Sequence, residues 1–161
     1  GSFSTSFPPL LRLGYSVVPL AMLEKFRSER VNHGAPPSLM AQPALSEFIN
    51  TGAFAIHIRR MRRIYAGRRA ALIEALEAGG PKRFVVDASP SGLMLLLRLE
   101  PCENDEEIVS RLAEAGIAAQ SLSSHYAGKH REKGLMLSFA GFTEKELRGA
   151  ARRLLEDLND V

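Results

Sequence analysis

Apolar and polar positions follow different rhythms along the 161 residues, and the changes of rhythm divide the chain. Leu13-Gly14-Tyr15-Ser16-Val17-Val18 is short, apolar and β-branched and runs into Pro19, which predicts one strand of a sheet whose other strands lie elsewhere. From Pro19 to about Val31, Leu20, Leu23 and Phe26 recur at helical steps until His33-Gly34-Ala35-Pro36-Pro37 breaks the pattern. A shorter helix is expected over residues 38–49. Thr51 then offers a cap for a long helix whose stripe is Phe54, Ile58, Met61, Tyr65, Leu72 and Leu76, stopped by Gly79-Gly80-Pro81. At 1.5 Å per residue this element is about 40 Å long, which suits a bridge between two parts of a larger fold.

Beyond Pro81 the rhythm shortens. Residues 83–87 and 93–99 predict two strands joined as a hairpin across Ala88-Ser89-Pro90-Ser91-Gly92. Asn104, with Glu107 three residues on, marks a helix start; Ile108 and Leu112 face inward and Gly116 supplies the stop. Residues 117–122 and 135–140 read as further strands around the polar loop 123–134. The last helix is the best specified element: Thr143 and Glu146 form a capping box, Phe142 and Leu147 hold the staple positions, and Leu147, Ala151, Leu154, Leu155 and Leu158 make the buried face. This order predicts an α+β fold, with helices packed on a small, mainly antiparallel sheet.

Composition narrows the classes without choosing a function. With 45% hydrophobic and 24% charged residues the chain can bury a real core and is not a disordered tail. No apolar run approaches the roughly 20 residues of a membrane span, and no signal-peptide pattern opens the chain. The single Cys102 cannot form an internal disulfide, so a reduced, cytoplasmic setting is expected. His33, His57, His125 and His130 show no metal-ligand spacing, and Ser121, Ser123, Ser124 and His125 read as a loop rather than a catalytic set.

Charge is concentrated in one place. The net charge is only +3, yet Arg59, Arg60, Arg62, Arg63, Arg68 and Arg69 crowd one segment. On a helix they cover a broad arc, with Met61, Ile64 and Tyr65 interleaved as core contacts, so the block reads as a solvated or ion-pairing face rather than a DNA contact.

Several segments together resemble a known family. Gly1-Ser2-Phe3-Ser4, Pro9, Leu11-Arg12-Leu13-Gly14-Tyr15, the block His57-Ile58-Arg59-Arg60-Met61-Arg62-Arg63-Ile64-Tyr65 with Arg68-Arg69, and the closing Ser138-Phe139-Ala140-Gly141 span almost the whole chain. They are similar to the back half of the aminotransferase-like, fold-type-I pyridoxal phosphate (PLP) domain of MocR-type regulators in the GntR family. The resemblance implies PLP in the parent family, with Ser2 and Arg12 holding the cofactor phosphate, roles that a hydroxyl and a forked guanidinium can fill. It places Thr5 where the family has its Schiff-base lysine. Imine formation needs a nitrogen nucleophile, so no catalytic residue is expected, transamination is not, and any PLP would be absent or held weakly and noncovalently. Met136 stands two residues before Ser138, where many aminotransferases carry an arginine for the substrate carboxylate.

The same resemblance divides the chain into residues 1–50 from the cofactor-binding large domain, an interdomain helix over 51–80, and a small C-terminal α+β domain over 81–161. It implies a fragment or truncated relative of such an effector domain, a homodimer, a small amino-acid-like effector in the parent, and DNA contact only through a separate N-terminal winged helix. Two alternatives stand beside it: a piece of a genuine class I/II aminotransferase, and a stand-alone dimerising module.

Overall fold

The computed structural model of the chain describes residues 1–3, 13–33, 39–79, 83–87, 89, 92–100 and 104–159. Its contacts form two compact units, Gly1–Met61 and Arg62–Val161, and the division falls within one helix.

In the first unit, Pro19 opens a 3-10 turn, Leu20–Met22, that leads directly into α1, Leu23–His33. Next come α2, Ala41–Asn50, and α3, Ala53–Glu77. The 25 residues of α3 make it about 38 Å long, in keeping with the sequence pattern. Two expectations change here. Thr51 does not cap α3: its hydroxyl donates to the carbonyls of Glu47 at 2.9 Å and Phe48 at 3.3 Å and so closes α2. The last carbonyls of a helix need partners as much as the first amides of the next, and a hydroxyl can serve either end. The strand expected over 13–18 shrinks to one isolated antiparallel bridge between Ser2 and Gly14. Past Tyr15 no described strand pairs with it, and Val17 stands 91% exposed.

The second unit is built on a four-stranded sheet of order β1-β2-β4-β3, with every neighbouring pair antiparallel. Its strands are β1, Phe84–Asp87; β2, Met94–Leu99; β3, Gln120–Ser121; and β4, Gly134–Ser138. The hairpin of β1 and β2 pairs Phe84 with Leu99 and Asp87 with Leu96. Alternation sends Leu95, Leu97, Leu99, Leu135 and Leu137 to one face. Against them pack Leu72 and Leu76 of α3, Ile108 and Leu112 of α4 (Asp105–Glu114), and Leu147, Ala151, Leu154, Leu155 and Leu158 of α5 (Glu144–Asn159). Each large aliphatic side chain so buried contributes about 1.5–3 kcal/mol, and together they fix the helices on one side of the sheet. Arg111 to Asp157 at 2.7 Å then ties α4 to α5, and Arg148 to Glu74 at 2.9 Å ties α5 to α3.

The ends of α4 and α5 show how sequence becomes local geometry. At Gly116, with φ +74°, the amides of Gly116 and Ile117 turn back to the carbonyls of Ala113 and Leu112 at 3.0 and 2.8 Å, a Schellman closure that only glycine adopts without strain. Asn104 occupies the position before α4, but its amide donates to Glu107 at 3.3 Å instead of capping the backbone. In α5 the capping box forms: the Thr143 amide donates to Glu146 at 2.7 Å while the Glu146 amide donates to the Thr143 hydroxyl at 3.3 Å. Those bonds from Thr143 hold the Glu146 carboxyl below its usual range. Of the two staple residues, Leu147 is buried while Phe142 stays half exposed. The strand expected over 117–122 is reduced to β3, and the loop after it starts with a 3-10 turn, Ser123–His125.

Asp105, the first residue of α4, has no exposed surface. Its carboxylate accepts the Ser123 amide at 2.9 Å, the Ser123 hydroxyl at 2.7 Å, the Gly134 amide at 3.2 Å and the Lys133 ammonium at 3.1 Å. Burial alone would push this carboxyl upward; the bonds from Ser123, Gly134 and Lys133 outweigh it and hold the group below its ordinary value. A carboxylate depressed in this way stabilises the fold above the unfolded value of about 3.9 and ceases to as pH falls through the folded value. Asp105→Asn should lower unfolding free energy by about 3 kcal/mol at neutral pH, since it leaves buried donors poorly matched. Urea titrations from pH 7 down to 2 should show the wild-type advantage over the variant shrinking only below about pH 4; an advantage constant across that range would contradict this assignment.

Candidate functional site

The residues that the sequence nominates for a phosphate grip lie at the start of the chain. There the backbone pairs with itself: the amide of Phe3 donates to the carbonyl of Leu13 at 3.0 Å, and that of Tyr15 to the carbonyl of Gly1 at 2.9 Å. The nitrogen of Gly1 adds a bond to the Tyr15 carbonyl at 2.6 Å. Ser2 sits exposed opposite Gly14, on the bridge between the two segments. Thr5 and Arg12 lie outside the described residues, as does Cys102. Gly14 is required by close approach, because a Cβ there would stand 2.9 Å from the Gly1 carbonyl oxygen.

Aromatic rings hold this ladder in the first unit. Phe3 packs on Tyr15 with centroids 5.6 Å apart and edge-on to Phe54 at 6.1 Å; Phe54 meets Phe48 at 6.4 Å, and Phe48 meets His57 at 6.2 Å. Such pairs contribute about 0.5–1.5 kcal/mol each beyond their burial, so α2 and the first turns of α3 fix where Ser2 stands. As residue types, a serine hydroxyl and an arginine guanidinium suit a phosphate. A threonine at position 5 supplies no amine, so that side chain has no group for covalent attachment of PLP.

In the second unit, Met136 lies on β4 opposite Leu96 of β2 and Gln120 of β3, half-buried and on the face away from the helices. The same face carries Arg98 between Asp87 at 3.1 Å and Glu132. Hydrogen bonds from Ser89, then from Arg98, pull Asp87 down to about 2. A methionine at this point offers a carboxylate neither charge nor donor. The six arginines of α3 part company here. Arg68 donates to the carbonyl of Ala140 and lies 6.0 Å from the Tyr65 ring centroid, and Arg69 donates to the Ser89 carbonyl at 3.2 Å. Arg59, Arg60, Arg62 and Arg63 are exposed.

Among the described residues no group of three or more His, Cys, Asp or Glu side chains could hold a metal ion, and no helix is long and apolar enough to cross a membrane. Ser121, Ser123 and Ser124 make structural bonds, to Asp105 and along their own loop. The Asp105 cluster was not foreseen from sequence. Its signal lay in the third dimension, since Asp105, Ser123 and Lys133 are separated by 18 and 28 positions.

A long helix entering a layer of helices on a small antiparallel sheet defines an aminotransferase-like module. The profile of the family described as Aminotransferase class I and II matches residues 1–154, and the chain belongs to that family. It is similar to the "Probable rhizopine catabolism regulatory protein MocR" of Rhizobium meliloti, at 32% identity over 92% of this chain and 30% of that protein. An HTH-type transcriptional regulator of Bacillus subtilis, YhdI, is 30% identical over 96% of this chain and 33% of its own length. The crystal structure of an α-aminoadipate aminotransferase from Thermus thermophilus, LysN, complexed with N-(5'-phosphopyridoxyl)-L-leucine, superposes with a TM-score of 0.87. That match has 25% identity and covers 99% of this chain and 41% of the other. The chain thus spans about a third of the length of the curated relatives it matches.

Gly14→Ala should open the ladder that positions Ser2, because the added methyl meets backbone rather than a movable side chain. In hydrogen exchange the amides of Phe3 and Tyr15 should lose their protection while those of β2 and β4 keep theirs; unchanged protection at Phe3 and Tyr15 would refute the close-approach argument.

Proposed function

We propose that the chain is part of the effector domain of a MocR-type transcriptional regulator, a PLP-fold module that does not transaminate. The observation that carries this is Thr5: position 5 has a hydroxyl where the family's chemistry needs an amine that both attaches the cofactor and carries a proton. The similarity to helix-turn-helix regulators supports the regulatory half of the reading. Ser2 and Arg12 keep residue types suited to a phosphate, and Met136, in the second unit, offers a carboxylate no charge. Residues 1–50 are assigned to the cofactor-binding large domain, 51–80 to the interdomain helix and 81–161 to the small domain. DNA recognition in such a regulator belongs to its helix-turn-helix part, and the protein would work in the cytoplasm.

The test is chemical. After incubation with PLP, borohydride reduction, proteolysis and peptide mass measurement, the peptide of Thr5→Lys should carry a pyridoxyl group at position 5, and the wild-type peptide should carry none on any side chain of residues 1–20. Failure of Thr5→Lys to acquire one would overturn the placement of position 5 at the family's lysine. The likeness to a crystallised aminotransferase favours one second reading, that the longer protein is an aminotransferase whose lysine has been replaced. Under that reading Thr5→Lys in the longer protein restores amino-group transfer; under the regulator reading it restores attachment alone.

A dimer belongs to the same proposal. In the first unit Val17, Leu20 and Met40 are 91%, 88% and 89% exposed, and Tyr15, Met22 and Val31 also stand open. Apolar surface of this extent is normally covered. Sedimentation equilibrium of the chain should therefore show self-association that Leu20→Glu with Met40→Glu abolishes; a monomer at every concentration would count against it.

A further inference from the structure

The basic face of α3 lacks the counter-charges that would make it structural. Of the 21 basic and 18 acidic residues, six of the former and none of the latter lie between positions 48 and 73, so the remainder of the chain has fifteen basic against eighteen acidic. Arg68 and Arg69 are engaged with carbonyls in the second unit. Arg59, Arg60, Arg62 and Arg63 are exposed and make no ion pair among the described residues. Of the solvated or ion-pairing face expected from sequence, these four form the solvated kind.

Their spacing also works against the helix that carries them. Arg59 with Arg62, Arg60 with Arg63, and Arg59 with Arg63 stand three or four residues apart, where like charges are neighbours and repel. With no acid within the segment to relieve that repulsion, an external polyanion would. We propose that this face of α3 binds the phosphate backbone of duplex nucleic acid, without reading its sequence. The four side chains occupy about 6 Å of helix axis and an arc of about 160°. Along 6 Å a duplex presents three to four charges, one per about 1.7 Å. An extended acidic peptide offers at most one per 3.3 Å. All four groups are arginines, whose planar fork matches phosphate oxygens better than a lysine ammonium does. The contact is independent of any recognition helix in the regulators that resemble this chain and of whether the chain holds PLP.

The experiment is fluorescence anisotropy of a labelled 20-base-pair duplex with the full chain at increasing KCl. Four phosphate contacts give a slope of log Kd against log salt of about 3.6, so affinity should fall about a hundredfold between 50 and 200 mM. Changing Arg59, Arg60, Arg62 and Arg63 together to Gln should remove this dependence, and circular dichroism should show the helix intact. Replacing Lys145, Arg152 and Arg153 of α5 with Gln, which removes nearly as much charge elsewhere, should leave the slope unchanged. If the fourfold variant does not fold, Arg59→Gln with Arg63→Gln should by itself lower the slope by about two. Absence of salt-dependent binding, or equal loss in the α5 variant, would overturn the proposal. So would displacement of the duplex by polyglutamate at the concentration at which unlabelled duplex displaces it, since that result assigns the face to an acidic protein.

Discussion

The buried carboxylate of Asp105 is the constraint on which the second unit depends. A charge with no exposed surface is tolerated only when its lone pairs are filled, and here four donors fill them. Those donors come from the turn after β3, from the residue before β4 and from the first residue of β4, so one side chain at the start of α4 sets the ends of two strands. β3 is only two residues long and could not hold its register by ladder bonds alone. With Ser123 fixed, Ser121 pairs with Leu135 and Gln120 with Met136. The register of Met136 against Gln120 thus depends on a carboxylate elsewhere in the unit.

What could be read from sequence was what local chemistry decides. The capping box of α5 needs only residues 143 and 146, the stop after α4 needs only Gly116, and the leucine alternation of β2 shows which of its faces is buried. What could not be read required knowing the partner. Thr51 suits either helix end that it touches, and only the break at Gly52 gives it to α2. Residues 13–18 have the composition of a strand, but a strand is a relation between two segments, and among the described residues only Leu13 to Tyr15 pair, with Gly1 to Phe3. Asp105 stood next to the residue expected to cap, and nothing local distinguishes a carboxylate bound for solvent from one that will be enclosed.

The candidate site was legible in a different sense, as a set of residue types rather than a geometry. Ser2 stands exposed on the ladder, whereas the roles of Thr5 and Arg12 rest on the family's pattern and the chemistry of their groups. That chemistry separates two functions usually found together. Gripping a phosphate needs donors and positive charge, which a hydroxyl and a guanidinium supply; joining an aldehyde and moving a proton need a nitrogen that titrates. Losing the second leaves the first intact, so a fold of this kind can remain a ligand binder after it has ceased to be a catalyst.

The arginines of α3 make the same point about charge. Six identical side chains within eleven positions look alike in the sequence, and a single description of the block, solvated or ion-pairing, treats them as one. The fold separates them by what lies within reach. At 68 and 69 the helix runs beside strand ends, and carbonyls of Ala140 and Ser89, 72 and 20 residues away, accept the guanidinium protons. At 59, 60, 62 and 63 no acceptor is at hand among the described residues, and each charge keeps its neighbours' repulsion. Stability alone would favour an acid or an uncharged residue somewhere in that run. An unrelieved cluster of fixed cations on a helix that otherwise packs well is a surface suited to a dense anion, and duplex phosphate has the charge spacing to meet it.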